Sequence, residues 1–90
     1  MVINIKILSL GTPERYAVRR MVTAAQQELQ VAAPQVQMTI SDIGDASQIV
    51  HYASVLVLPT LVIDEKVVCS GRFPARDEIV NWLSEAINKA

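Results

Sequence analysis

The chain has 90 residues, of which 51% are apolar, and a formal net charge of −1 from eight basic and nine acidic side chains. A chain of this length buries roughly two-thirds of the surface that it exposes when unfolded, so we expect one core and no second domain, and the apolar composition is that of a packed globule and not of a disordered tail. The balanced charge excludes a broad cationic surface for nucleic acid and leaves little self-repulsion, so a homodimer is one expectation.

An alternating pattern predicts the first strand. Ile3, Ile5 and Ile7 occupy one parity, and Leu8 and Leu10 follow on the other. Because successive side chains of a strand point to opposite faces, this order is typical of a strand whose end is buried on both sides.

A helix is predicted directly after Gly11, which ends the first strand. Thr12 is suited to capping the first amides, and Pro13 to the first helical position, where its fixed φ fits and no hydrogen bond is lost. We expect the helix to end near Ala33, before Pro34. One face carries an apolar stripe formed by Val18, Val22, Ala25 and Leu29.

The next elements extend the order toward βαβαββα. Alternation over residues 36–43 predicts the second strand, and a short helix capped by Asp45 or Ser47 follows it. Pro59 must start, and not interrupt, a third strand over residues 60–63. A short polar loop joins that strand to a fourth strand in "VVCSG", so the pair is predicted to be an antiparallel hairpin.

The last helix is predicted from about Ala75 by another apolar stripe. Phe73 and Trp82 are expected to anchor it in the core. The apolar surface left for a second copy is expected on this helix and on Met21, Val22 and Leu29.

Two segments of the chain resemble a known family. The first helix opens with "LGTPERYAVRR", and the chain continues from Pro59 as "PTLVIDEKVVCSGRFPARDEI". The second segment closely matches Pro-x-Leu-Val-Ile-Asp-Gly-Lys-Val-Val-x-x-Gly-x-x-Pro-x-x-x-Glu-Ile, the pattern of the small thioredoxin-like proteins of bacteria and archaea called redox-active disulfide proteins. The resemblance implies a single thioredoxin-like domain over residues 1–90, an α/β fold with a four-stranded mixed sheet flanked by helices.

The dithiol of that family has no counterpart here. The family's first strand leads into Gly-x-x-Cys-x-x-Cys, whereas the aligned positions in this chain are Thr12 and Arg15. Disulfide exchange needs an attacking thiolate and a second thiol that resolves the mixed disulfide, so the resemblance implies a fold kept without that activity. Leu58 stands where the family has threonine before its cis-proline, and the loop between Tyr52 and Pro59 is slightly longer.

These features favour a binding or regulatory module for a protein or peptide partner, without a cofactor and without conventional oxidoreductase activity. The helix start at Thr12, Pro13 and Arg15 presents amides and a dipole that favour an anion or a carboxylate, although the same residues also suit a plain helix cap. A cis-proline exposes the backbone of the residue before it, so the resemblance implies a site for an extended peptide at Leu58 and Pro59. The alternative is that Pro59 only fixes the entry into the third strand.

Two other functions are open at this stage. Cys69, the single cysteine, would serve a redox protein as an exposed thiol reacting with glutathione or a partner's cysteine, whereas a cysteine in a strand is ordinarily buried and inert. The segment "LGTPERYAVRRM" also resembles the start of the circadian-clock KaiB family, which has Gly-x-Thr-Pro at this place, lacks the paired cysteines and recognises protein partners. The match over the fourth strand and the last helix argues against that family.

Membrane, secretory and metal-dependent functions find no support in the sequence. No segment approaches the roughly twenty apolar residues that cross a bilayer, and "MVINIKIL" is too short for a secretion signal, so a cytoplasmic protein without a membrane partner is expected. His51, the single histidine, has no cysteine or acidic neighbour at metal-ligand spacing, and no nucleophile and base form a recognisable pair. No metal site is therefore expected.

Overall fold

The computed structural model describes residues 2–50 and 59–89, with the side chains of Thr12 and Ala46 left outside that description. Over these residues the elements follow the predicted βαβαββα order. They are β1 (Val2–Leu8), α1 (Thr12–Ala32), β2 (Gln37–Ile43), α2 (Ala46–Ile49), β3 (Thr60–Ile63), β4 (Lys66–Ser70) and α3 (Arg76–Lys89). Within the described ranges, none of the helices is both long enough and apolar enough to span a bilayer.

The strand β1 lies inside the four-stranded sheet, whose order is β2-β1-β3-β4. It pairs in parallel with β2, where Leu8 lies opposite Ile43, and antiparallel with β3, where Leu8 lies opposite Thr60. The strands β3 and β4 form the predicted antiparallel hairpin. A parallel pair requires a crossover, which α1 supplies, so the sheet is mixed as expected.

The main core lies between one face of the sheet and the helices α1 and α3, which pack against each other. The predicted stripe of α1 is confirmed, since Val18, Val22 and Ala25 are buried and Leu29 packs against the core. The strands and α3 contribute the buried residues Ile3, Ile5, Ile7, Met38, Leu61, Ile63, Cys69, Ile79 and Leu83.

The other face of the sheet carries a smaller cluster formed by Leu8, Ile49 and Val62. Since Ile49 belongs to α2, this helix packs on the face opposite to α1 and α3. The end of β1 is therefore buried on both sides, as its sequence pattern predicted. Leu10 departs from that pattern and is exposed, because β1 ends at Leu8 and the chain then leaves the sheet to enter α1.

The turn between β3 and β4 is fastened to the start of β1. Asp64 and Glu65 have φ angles of 48° and 67°, the left-handed conformation that a tight hairpin turn requires. The Asp64 N–H donates to the Asn4 C=O (2.8 Å), and the Asn4 N–H donates to Asp64 Oδ1 (2.9 Å). These hydrogen bonds offset the strain of two non-glycine residues in this conformation.

The start of α1 differs by one residue from the prediction. Gly11, and not Thr12, is the N-cap residue, because its backbone is extended and its C=O accepts the first helical hydrogen bond from the Arg15 N–H (3.2 Å). Thr12 is therefore the first helical residue and Pro13 the second. Proline is tolerated there because the first amides of a helix have no partner within the helix.

Two further expectations are corrected by the packing. Phe73 is exposed and does not anchor α3, because it lies in the connection before that helix, whereas Trp82 packs against the core as predicted. Val22 is buried and Leu29 packs within the chain, so the face of α1 that was expected to serve a second copy is largely used by the chain's own core. Of the three α1 residues in that expectation, only Met21 is exposed.

Candidate functional site

The sheet register brings both halves of the predicted site to one end of the molecule. The strand β1 ends with Leu8 opposite Thr60. The next residues outward, Ser9 and Pro59, therefore lie at the same end of the sheet. The strand β4 reaches this end too, since the Gly71 N–H donates to the Pro59 C=O (3.0 Å). We call this region the α1 end, and it comprises residues 9–15, Gly44, Pro59 and Gly71.

Ser9 is the buried polar centre of the α1 end. It is 0% exposed, and its Oγ accepts a hydrogen bond from the Gly11 N–H (3.2 Å) and donates to Glu14 Oε2 (2.9 Å). Its own N–H donates to the C=O of Ile43 (3.1 Å), which ties it to β2. Because an unsatisfied buried polar group costs roughly 1–3 kcal/mol, this network fixes the turn from β1 into α1.

Arg15 folds back across the end of the sheet. It is half-buried, and its Nη1 donates to the Ser9 C=O (3.4 Å). The guanidinium lies over Gly44, where a Cβ would displace Nη1, the far end of the flexible Arg15 side chain. Gly44 therefore makes room for Arg15, and the cation rests across the ends of β1 and β2.

The chain supplies its own anion at the start of α1. The Glu14 carboxylate, bonded to Ser9, lies at the N-terminus, where the helix dipole favours negative charge. Arg19, one turn beyond Arg15, is paired with Asp42 (3.0 Å). These internal contacts favour a surface of fixed side chains over a pocket for a free anion.

Pro59 is buried and directly precedes β3, which agrees with the expected strand start. It has no N–H to donate, and its C=O accepts the hydrogen bond from the Gly71 N–H. Leu58 lies outside the described residues, as does His51. Among the residues that are described, no group of three or more His, Cys, Asp or Glu side chains is placed to hold a metal ion.

Apolar side chains are exposed around the α1 end. Leu10 and Tyr16, on either side of the start of α1, are 61% and 63% exposed, and Phe73, just beyond Gly71, is 56% exposed. Single exposed apolar residues are ordinary on a protein surface, whereas several at one end of a sheet favour an interaction surface.

An ion pair between Arg72 and Glu78 stabilises the connection between β4 and α3, which contains Phe73. The Arg72 guanidinium donates two hydrogen bonds to the Glu78 carboxylate (2.8 and 2.6 Å), and the Ala75 N–H donates a third (3.1 Å). The hydrogen bonds from Arg72, followed by that from Ala75, lower the pKa of Glu78 to about 2. Glu78 therefore stays ionised well below neutral pH and keeps this connection in place.

Cys69 lies on β4 and faces the main core. It is 6% exposed, and its Sγ lies 3.7 Å from the Arg72 C=O. Burial raises the pKa of the thiol, and Glu78 adds to this effect while Arg72 opposes it. A buried thiol with a raised pKa is a poor nucleophile, so the geometry agrees with a structural role for Cys69 and disfavours a single-thiol enzyme.

The mixed sheet with α1 and α3 on one face and α2 on the other, and with a proline entering β3 where α1 begins, is the architecture of a small thioredoxin-like domain. A family model described as a thioredoxin domain matches residues 3–84. The chain belongs to this family, and the match covers both segments that carry the resemblance. No curated protein matches the chain.

Sequence reasoning missed Ser9, Glu14 and Gly44. A glutamate three residues after an N-cap position is a known capping pattern, so the spacing from Gly11 to Glu14 was a usable signal for a polar network here. Gly44 gives no local signal, because its role depends on Arg15, which is distant along the chain.

Proposed function

We propose that the chain is a thioredoxin-fold binding module without dithiol exchange, and that its partner-binding surface is the α1 end. Thr12 and Arg15 stand where the family has its two cysteines, and the single cysteine, Cys69, is buried in β4. Exchange at the helix start would then lack both the attacking and the resolving sulfur. In that case the thioredoxin fold would be used to bind a partner and not to exchange disulfides.

The placement of Arg15 over Gly44 and against the Ser9 C=O is the observation that carries this proposal. A solvated arginine side chain loses up to about 2 kcal/mol of rotamer free energy when a partner orders it. Arg15 already rests on Gly44 and on the Ser9 C=O, so part of this ordering precedes binding. Together with the exposed side chains of Leu10 and Tyr16 around the start of α1, this partly ordered arginine gives the composition of an interface hot spot.

An extended peptide, presented by a protein or free, is the proposed form of the partner. The resemblance implies that the backbone before Pro59 pairs with such a segment, which makes Leu58 the pairing residue. Leu10 and Phe73 offer apolar contacts to the peptide's side chains at the same end of the sheet.

A displayed library of extended peptides tests the site. We expect the selected peptides to lose about tenfold or more in affinity with Arg15→Ala, because this change removes a proposed side-chain contact. Arg20→Ala is the matched control, since it removes the same charge from an exposed position on α1. Equal losses for both arginine variants, or peptides that ignore Arg15→Ala, would contradict the site.

A disulfide-reduction assay tests the proposed lack of dithiol exchange. We expect the chain with a thiol reductant to reduce a protein disulfide no faster than the reductant alone, with Cys69→Ser giving the same rate. Catalysed reduction that Cys69→Ser abolishes would overturn the proposal and favour a single-thiol enzyme.

A further inference from the structure

A groove lies at the end of the sheet opposite to the α1 end. It has a volume of 480 Å³ and runs between β4 and the C-terminal half of α3. Val67 and Val68 line its strand side, and Trp82 and Ala86 line its helix side. We call it the hairpin groove. Its walls are apolar, and the half-buried indole of Trp82 forms part of them.

Charged side chains surround the hairpin groove, with Asp64 and Lys66 on the strand side and Glu85 and Lys89 on the helix side. Lys66, Glu85 and Lys89 form no ion pair with any residue that the structure describes. Among the described residues, by contrast, Lys6, Arg19, Arg72 and Arg76 each pair with an acidic side chain. Unpaired exposed charges therefore collect around this groove.

The order of these charges makes the groove complementary to itself. Asp64 in the turn and Lys89 at the end of α3 lie at the outer end, while Lys66 and Glu85 lie further in. In a dimer whose two-fold axis runs along the groove, the helix side of each copy lies against the strand side of the other. Asp64 then faces Lys89, and Lys66 faces Glu85, so each contact joins opposite charges and occurs twice by symmetry.

We propose that the hairpin groove is a homodimer interface in which the β4 edge of each copy covers Trp82 of the other. Among the described strands β4 is the outer one, and an outer strand beside an apolar groove is a surface that association removes from water. The four rim charges of Asp64, Lys66, Glu85 and Lys89 sum to zero, which suits a second copy better than a partner of strong net charge. The α1 end stays accessible in such a dimer.

Analytical ultracentrifugation of the full chain tests the interface. From about 10 µM to 1 mM we expect a reversible dimer. Its dissociation constant should rise about tenfold in Lys66→Glu and in Glu85→Lys, because each reversal opposes like charges twice. The double variant K66E/E85K restores opposite signs and should return the constant to within about threefold of the original.

Arg20→Glu is the matched control. Arg20 is exposed on α1 and, like Lys66, forms no ion pair with a described residue, so this reversal should leave the dissociation constant unchanged. All of these variants alter exposed side chains, and circular dichroism should show an unchanged fold. The emission of Trp82, the single tryptophan, should shift to shorter wavelength as the dimer forms.

A chain that stays monomeric over the whole concentration range would overturn this proposal and leave the groove to another occupant. A dimer that Arg20→Glu weakens equally, or that the double variant does not restore, would overturn it as well. Either result leaves the proposed function of the α1 end unaffected, because that function uses a separate surface.

Discussion

The two ends of the sheet hold their charged side chains in different ways. At the α1 end, Glu14 and Arg15 both bond to Ser9, so their positions are set within the chain. At the hairpin groove, Lys66 and Glu85 form no ion pair with a described residue. A surface can thus be prepared for a partner either by ordering its own side chains in advance or by leaving charges for the partner to neutralise.

Both ends depend on the same central strand, so the largest effect is expected from a change there. Ile5 is 0% exposed in the middle of β1. We expect Ile5→Ala to lower the free energy of unfolding by about 3 kcal/mol, from lost burial and the cavity left behind. Urea unfolding measures this loss. Val2→Ala, at an exposed position of the same strand, should lose less than about 0.5 kcal/mol, and similar losses at both positions would contradict the described orientation of β1.

The reactivity of Cys69 tests whether the chain has a thiol that can react with a partner, in addition to the two surfaces compared above. We expect iodoacetamide to modify the native thiol about a hundredfold more slowly than the thiol in denaturant, because the side chain is buried and its pKa is raised. The rates are measured at several pH values by mass spectrometry. Fast modification with a lowered pKa would contradict the structure and revive the single-thiol function.

The buried hydroxyl of Ser9 tests how the α1 end is ordered. We expect Ser9→Ala to lower the free energy of unfolding by about 1–2 kcal/mol, because the Gly11 N–H and the Glu14 carboxylate lose their shared partner. Ser41→Ala, at an exposed position on β2, is the control and should have little effect. Equal unfolding midpoints for the two variants would show that this hydroxyl does not order the α1 end.

The smallest expected effect is a change in acid sensitivity. The pKa of Glu78, about 2, lies below its ordinary value of 4.5, so ionised Glu78 contributes stability that is fully present above about pH 4.5 and is lost as the pH falls toward 2. We expect the unfolding midpoint of Glu78→Gln to decline less over this interval than that of the original chain. Glu85→Gln at the hairpin groove is the control and should keep the original slope; a slope altered equally in both variants would contradict the assignment.

The strand and helix order was predictable because it depends on local periodicity. The alternation from Ile3 to Ile7 and the stripe through Val18 and Val22 each need only a few neighbouring residues to be recognised. The position of the candidate site could not be predicted from periodicity alone. Thr12 and Pro59 were assigned to it because they align with a cysteine and with the cis-proline of the family that the chain resembles.

The finer features depend on tertiary packing, which local patterns do not contain. Nothing near Gly44 indicates that Arg15 lies over it. Phe73 and Trp82 are both aromatic residues near α3, yet only Trp82 meets the core. The expected dimer face on Val22 failed for the same reason, since its side chain is buried in the core between the sheet and the helices.

The central position of β1 has a consequence for how the protein is made. The ribosome produces β1 before its neighbours, and β2 can pair with one edge soon after α1 forms. The other edge receives β3 only once Ile63, the partner of Ile5, has emerged. Pairing across such a long separation is intrinsically slow, and the waiting edge is open to chaperones and to premature association. Folding is therefore expected to finish with the docking of the β3–β4 hairpin and of α3, which follows it in the chain, and variants that slow the turn at Asp64 should prolong chaperone dependence.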